Sequence, residues 1–361
     1  MPKVSVLISY YNDKDYLAQC IQSVMNQSFI DFELILVNHA TEDNCREIAH
    51  SFSDSRIHHV DLDRNNGAGG GIIVETFIKS ARGQYLKLFC ADDIMEVNCL
   101  EKLVQYLDSR PEKSVVFGDA CFINKNSQRL NIKWSEYYKK FNFNDSDAEI
   151  LHKYFHKNSF LPLPASMFRR TAVDGLFIDK SIIMEFDQSL WIQMLLNGCS
   201  IGFINDTIVQ YRHHEHQVSA PKKAEFIHRY DFYESIYRAR LFFKVQTLSH
   251  LSVILADFPL LQKLNDSDKE FFAFAVACYY LSAPECNNIY YRVVGYEYIH
   301  DCMENPVIRE KLQEKFDFGI AQFRALYQNI EVNEIGIKGT FALLMKKIYA
   351  KIAQALKSNR A

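Results

Sequence analysis

The sequence predicts an α/β fold: a mostly parallel sheet with helices on both faces, followed by a C-terminal helical region. Three observations predict it. Strand and helix patterns alternate from residue 1 to about residue 125. The strands are short, nearly continuous apolar runs, as expected for strands covered on both faces. Beyond Pro221 the pattern becomes almost wholly helical.

Val4 to Ser9 reads as the first strand, and Leu17, Ile21, Val24 and Met25 give helical spacing from Asp15 to Gln27. Phe32 to Val37 is a second strand, with a helix from about Asp43 to Phe52. Ile57 to Val60 is a short strand and Ile72 to Ala81 a helix. The run from Tyr85 reads as a buried strand that ends in Cys90-Ala91-Asp92-Asp93, with a helix expected from near Val97. Val115 to Phe117 adds a strand. Right-handed crossovers then bring the loops at the strands' carboxyl ends to one rim, where ligands bind in open α/β sheets. From 126 to about 220 the pattern is irregular. Ala224 to Phe243 and Asp266 to Leu281 are long helical stretches. These readings set a boundary near residue 220, giving a domain of 1–220 and a helical region of 221–361.

The acid pair Asp92-Asp93 is the most informative feature. Two adjacent carboxylates repel each other, and a divalent cation carrying a nucleotide diphosphate would neutralise them. The bland reading makes them turn acids that cap the next helix.

The composition narrows the class. The 361 residues are 48% hydrophobic and 24% charged, as in ordinary globular proteins. A net charge of −3 argues against a nucleic-acid binder that works by phosphate neutralisation. Nine scattered Cys with no C-x-x-C pair fit reduced thiols in the cytosol. The amino terminus lacks a signal layout, and no apolar run is long enough to span a bilayer.

Four segments line up in order: Val4 to Asn12, Asp31 to His39, Cys90 to Asp93, and Glu185-Phe186-Asp187 with Leu190-Trp191, followed by Tyr211 to Ser219. Together they resemble the inverting GT-A glycosyltransferases of family 2, over roughly residues 1 to 220. The resemblance implies a metal-dependent enzyme that moves a sugar from a nucleotide diphosphate donor to a glycan hydroxyl. It implies that Ser9 and Tyr11 cradle base and ribose, that Asp93 ligates Mn²⁺ or Mg²⁺, and that Asp92 contacts ribose or a metal-bound water. It makes Asp187 the general base and brings His214 to the metal or diphosphate. Gly67 to Gly71 fall in the segment that helps form the donor pocket. Glu185 is the fallback base, and His213 and His216 read as surface residues.

The chemistry asks for these types. The departing diphosphate needs a cation, and the weakly acidic acceptor hydroxyl needs a base. Two positions depart from the family pattern. Asn38-His39 replaces the carboxylate that would read uracil, so Asn38 and His39 become the base-reading candidates. UDP is the favoured donor nucleotide, and CDP or dTDP also fit. Cys90 replaces the first acid of the D-x-D-type motif.

The resemblance places the work in bacterial surface polysaccharide or lipooligosaccharide assembly, on a glycan or lipid-linked glycan acceptor. From Phe341, the residues Leu344, Met345, Ile348, Ile352 and Leu356 share helical spacing with several Lys. That suits either an anionic membrane surface or a docked terminal helix. The expected location is cytoplasmic, with peripheral contact at the inner membrane. The alternative in another class is a non-catalytic nucleotide- or glycan-binding relative. A nucleotidyltransferase would want a Gly-rich phosphate loop after the first strand, where Ser9-Tyr10-Tyr11-Asn12 stands. Donor hydrolysis with and without Mn²⁺ separates enzyme from binder.

Overall fold

A computed structural model describes residues 1–65, 70–139, 142–156, 160–215, 217, 224–286 and 288–328, with side chains of 224–232, 285 and 327–328 left aside. Gly67, Gly69, His216 and the basic segment from Phe341 lie outside the described residues.

The first half follows the expected alternation. Strands β1 (Val4–Tyr10), β2 (Phe32–Asn38) and β3 (Ile57–Asp61) run parallel, as does β4 (Tyr85–Cys90) on the other side of β1. Helices α1 (Leu17–Met25), α2 (Cys45–His50) and α3 (Gly70–Ser80) are the crossovers. All seven residues of β2 are buried, which explains its apolar run Leu34–Val37. Register sets Ser9 opposite Val37 and Cys90, and Asn38 opposite Tyr10 and Asp61. The carboxyl ends of four neighbouring strands thus share one rim.

After β4 the chain departs from the expectation. Ile94–Met95 forms a short strand, β5, before α4 (Cys99–Ser109) begins. The N-cap of α4 is Asn98, so Asp92 and Asp93 do not cap this helix. Residues 126 to 220 are also more regular than their pattern. They include β7 (Arg129–Lys133), α5 (Trp134–Tyr137), α6 (Asp147–His156), β8 (Ser166–Arg169), α7 (Phe186–Leu196) and β9 (Ile201–His213), after β6 (Val115–Asn124). The strand order is β3-β2-β1-β4-β8-β6-β9-β5, with β7 on β6. Strands β5, β7 and β8 pair antiparallel, and β9 runs parallel to β6.

Helix α7, expected from the acid-before-Trp segment, has no visible period for a physical reason. Every residue from Gln188 to Leu196 is buried, so no polar face marks its period. Trp191 anchors it, with its ring edge-on to Phe117 at 5.1 Å and Phe168 at 5.9 Å.

By packing, the chain forms two units, 1–276 and 277–361. The first includes α8 (Ala224–Leu241) and α9 (Leu248–Leu255). In the second, α10 (Phe272–Ser282) ends, and α11 (Ile289–Glu304), α12 (Pro306–Phe316) and α13 (Ile320–Gln328) follow. Asn305 caps α12 by accepting from the N–H groups of Val307 and Ile308, with Pro306 in the first turn. Among the described residues, no helix is long and apolar enough to cross a membrane.

Candidate active site

The turn after β4 carries the acid pair. Asp93 is 1% exposed, and its Oδ1 accepts the backbone N–H of Arg212 at 2.8 Å. Its Oδ2 is buried with no hydrogen-bond partner. Burial, and then the charge of Asp92, push the Asp93 carboxyl well above the ordinary range. Cys90, Asp92 and Asp93 each offer a ligand atom, and these lie within 4.8 Å of one another.

Strand β9 brings the other half of this cluster. His214 Nε2 lies 3.1 Å from Asp92 Oδ2, and its ring tilts against Tyr16 at 4.8 Å. Arg212, 1% exposed, is the scaffold that sequence reasoning missed. Its guanidinium donates to the carbonyls of Asp92, Asn124 and Lys125, to Ser127 Oγ and to Gln19 Oε1, and it lies over the Tyr16 ring. One buried side chain thus ties the turn after β4, the β6–β7 turn and α1 together. The visible signal was the Tyr211-Arg212-His213-His214 run itself, in which the Arg had no assigned role.

Asp13 is a second missed residue. It follows β1, and its Oδ2 accepts the N–H of Tyr11. Burial pushes its carboxyl up to about 6, against the bond from Tyr11 and with help from Asp92 and Asp43. A third is Lys87 on β4, fully buried, whose Nζ donates to the carbonyls of Pro164 and Ser166. Desolvation lowers its affinity for the proton.

The base-reading candidates sit at the end of β2. Asn38 is buried and already engaged: Nδ2 donates to Asp61 and Oδ1 accepts the N–H of Thr41. Asp61 in turn pairs with Arg46. His39 is 2% exposed, and desolvation lowers its proton affinity, which favours the neutral imidazole at pH 7. The turns that follow β1 and β2 each contain a residue with left-handed φ, Asn12 at 57° and Ala40 at 54°. For Ala this conformation is strained, so the surrounding loop enforces it. Ser9 and Tyr11 are half-buried on the same rim.

Asp187 stands in the first turn of α7. Its Oδ1 accepts the N–H of Gln188 at 2.7 Å. Desolvation lifts its carboxyl to about 6. It lies within electrostatic reach of the acid cluster, since the Cys90 thiol is raised by burial and then by Asp93, Asp92, Cys20 and Asp187. Glu185, the fallback, is engaged in a buried ion pair, with Oε1 accepting from Arg238 at 2.9 Å. Gly70 and Gly71 do packing work. A Cβ on Gly70 would stand 2.2 Å from the Ile182 carbonyl and one on Gly71 2.0 Å from that of Asp179. They let α3 press against the segment that leads into α7.

Residues 5–177 match the model of Glycosyl transferase family 2. The chain carries a family 2 glycosyltransferase domain. An uncharacterized glycosyltransferase of Methanocaldococcus jannaschii is 28% identical over 215 residues, which is 58% of this chain and 71% of that one. Two Rickettsia relatives of the same description are matched over 66% of their length. UDP-Glc:α-D-GlcNAc-diphosphoundecaprenol β-1,3-glucosyltransferase WfaP of Escherichia coli is 24% identical over 244 residues, covering 65% of this chain and 87% of WfaP. The solved structure of S. aureus TarS 1–349 with UDP-GlcNAc superposes with a TM-score of 0.54 at 16% identity, covering 90% of this chain and 89% of that one. The GT-A fold expected from the sequence is therefore the fold of this glycosyltransferase, with an antiparallel portion added to the parallel half.

Proposed function

We propose that this glycosyltransferase is metal-dependent and inverting. It would move a sugar from a nucleotide diphosphate donor to a hydroxyl of a glycan or lipid-linked glycan in bacterial surface polysaccharide assembly. The observation that carries the reading is the buried, unpartnered Oδ2 of Asp93 within an acid cluster. A carboxylate oxygen removed from water is costly unless something positive meets it. The cluster fits Mn²⁺ or Mg²⁺ by its oxygen donors, with Asp93 and Asp92 as ligands and His214 beside them. The bound ion would supply charge neutralisation for the departing diphosphate.

The chain's own residues do the rest. Arg212 and His214 hold the two acids in place. Ser9, Tyr11, Asn38 and His39 line the rim where base and ribose would bind. Asp187, with a carboxyl near pH 6, is mostly ionised at pH 7 and basic enough to take a hydroxyl proton during attack. Attack from the face opposite the leaving group gives inversion. The engagement of Glu185 by Arg238 supports Asp187 over its neighbour.

The name of WfaP, a UDP-Glc-dependent enzyme acting on a diphosphoundecaprenol-linked sugar, favours UDP and a lipid-linked acceptor here too. That acceptor would place the enzyme on the cytoplasmic face of the membrane, touching it peripherally. On this reading, residues 1–220 are the catalytic module and 221–361 a helical C-terminal region.

The test is a screen of UDP-, CDP-, dTDP- and GDP-sugars for nucleotide release, with Mn²⁺ and with EDTA. Metal-dependent release from one class is expected, and NMR of the product with an acceptor should show an inverted anomeric centre. Nucleotide binding without release from any donor would favour the non-catalytic alternative.

A further inference from the structure

We propose that Glu234, on α8, is a positioning residue that holds the amino end of α7, and Asp187 with it, in the geometry proton abstraction needs. The proposal rests on the reading of Asp187 as the base. Glu234 lies outside the residues matched by the family model.

The first N–H groups of a helix have no partner within the helix and need one from elsewhere. The N-cap of α7 is Glu185, whose side chain makes no capping bond. Glu234 supplies a partner for one of them, the N–H of the N-cap Glu185, from about fifty positions further along the chain, and also binds the two N–H groups just before the helix. Its Oε1 accepts the N–H of Ile183 at 2.8 Å, and its Oε2 accepts those of Met184 at 2.8 Å and Glu185 at 2.6 Å. A carboxylate there also meets the positive end of the α7 dipole.

One turn along α8, Arg238 completes the clamp. Its Nη1 donates to Glu185 Oε1 at 2.9 Å and to Gln188 Oε1 at 3.1 Å. Asp187 therefore lies between two residues held by Arg238 and follows three N–H groups held by Glu234. Glu234 is 3% and Arg238 1% exposed. Burying two ions is an expensive way to join helices when apolar side chains would serve. What the ions add is a fixed direction for the Asp187 carboxylate.

Glu234 from α8 acts on Asp187, and Asp187 in turn acts on the Cys90 thiol of β4 and the Tyr154 hydroxyl of α6. Burial dominates the elevation of the Asp187 carboxyl, and Glu234 adds to it. Glu234 thus adds a small increment of basicity to the direction it fixes.

The test compares Glu234→Gln, which removes the charge, with Glu234→Asp, which keeps the charge and shortens the reach. Protein with ¹³C-labelled Asp carboxyls is titrated by NMR, and Asp187 is identified by the signal lost in Asp187→Asn. In Glu234→Gln the Asp187 midpoint is expected to fall by about half a pH unit, and in Glu234→Asp to stay. Both variants should bind UDP with Mn²⁺ as wild type does. Both should lose about tenfold in kcat for hydrolysis of UDP-glucose or UDP-GlcNAc, whichever the wild type cleaves, with KM unchanged. A lower Tm with midpoint and kcat unchanged in Glu234→Gln would make Glu234 a plain fold anchor and overturn the proposal. If Glu234→Gln does not fold, wild-type kcat in Glu234→Asp overturns it equally. Undiminished hydrolysis in Asp187→Asn would overturn the base reading itself, a result distinct from either.

Discussion

Two carboxylates are buried in the same sheet and are treated in opposite ways. Glu33, on β2 towards the amino ends of the strands, accepts from Ser5 Oγ at 2.6 Å and from the backbone and Nε of Arg82 at 2.7 Å. Burial pushes its carboxyl up, but the bonds from Ser5 and Arg82 prevail and bring it below the ordinary range. Asp93, at the carboxyl end, has one oxygen satisfied and the other orphaned, and its carboxyl is pushed up. The first carboxylate is complete without a ligand. The second, on the proposed reading, is completed by the bound ion. Within one sheet, then, the amino rim stores stability and the carboxyl rim keeps an unmet electrostatic demand, as functional sites do.

That contrast can be broken by mutation. The largest expected effect is at Asp93. Asp93→Asn should abolish Mn²⁺-dependent nucleotide binding, read by isothermal titration, while circular dichroism shows an intact fold. Wild-type affinity in a folded variant would put Asp93 on the same footing as Glu33.

Next comes Asp187→Asn, expected to cut transfer by about 10²-fold or more with donor affinity kept. Glu185→Gln should instead lower Tm, because its partner Arg238 is buried, and cut turnover only about tenfold, as loss of positioning and not of the base would. The reverse pattern would move the base by two residues.

Glu33→Ala tests the amino rim. It should cost about 1–3 kcal/mol by leaving the buried Ser5 hydroxyl without its acceptor, with nucleotide affinity unchanged. Chemical denaturation measures the first and titration calorimetry the second.

The pH dependence gives a smaller effect. The Asp187 carboxyl titrates near 6 in the folded protein, above its ordinary value. Protonation removes the base, so turnover should fall as pH drops through about 6. Stability moves oppositely. A raised folded pKa favours the fold at low pH, and that contribution is lost as pH rises through 6. Asp187→Asn should therefore raise Tm slightly at pH 7 and not at pH 4, as thermal melts at the two pH values would record.

The smallest effect is expected at His39. His39→Asp should reorder the affinities for UDP, CDP, dTDP and GDP if this side chain reads the base. An unchanged order would remove it from the donor site.

What the sequence determined by itself was the parallel half. Val4–Tyr10, Phe32–Asn38 and Tyr85–Cys90 are mostly apolar because both of their faces are covered, and local pattern suffices to find them. The acid pair was visible for a similar reason: both of its members are neighbours in the chain. Residues 126 to 220 were not visible as elements, apart from the helix read from the acid-before-Trp segment. Helix α7 is buried on all sides and shows no period, and β9 is exposed over part of its length. Tertiary structure alone decided what supports the acids. Arg212 meets Asp92 and Asp93 across about 120 positions, and Glu234 meets the start of α7 across about 50. Neither pairing has a local signature, because a buried charge is recognised by the partner that folding brings to it. His39 and Asn38 look alike in sequence as polar turn residues. Only packing distinguishes the amide already engaged by Asp61 and Thr41 from the imidazole that burial keeps neutral.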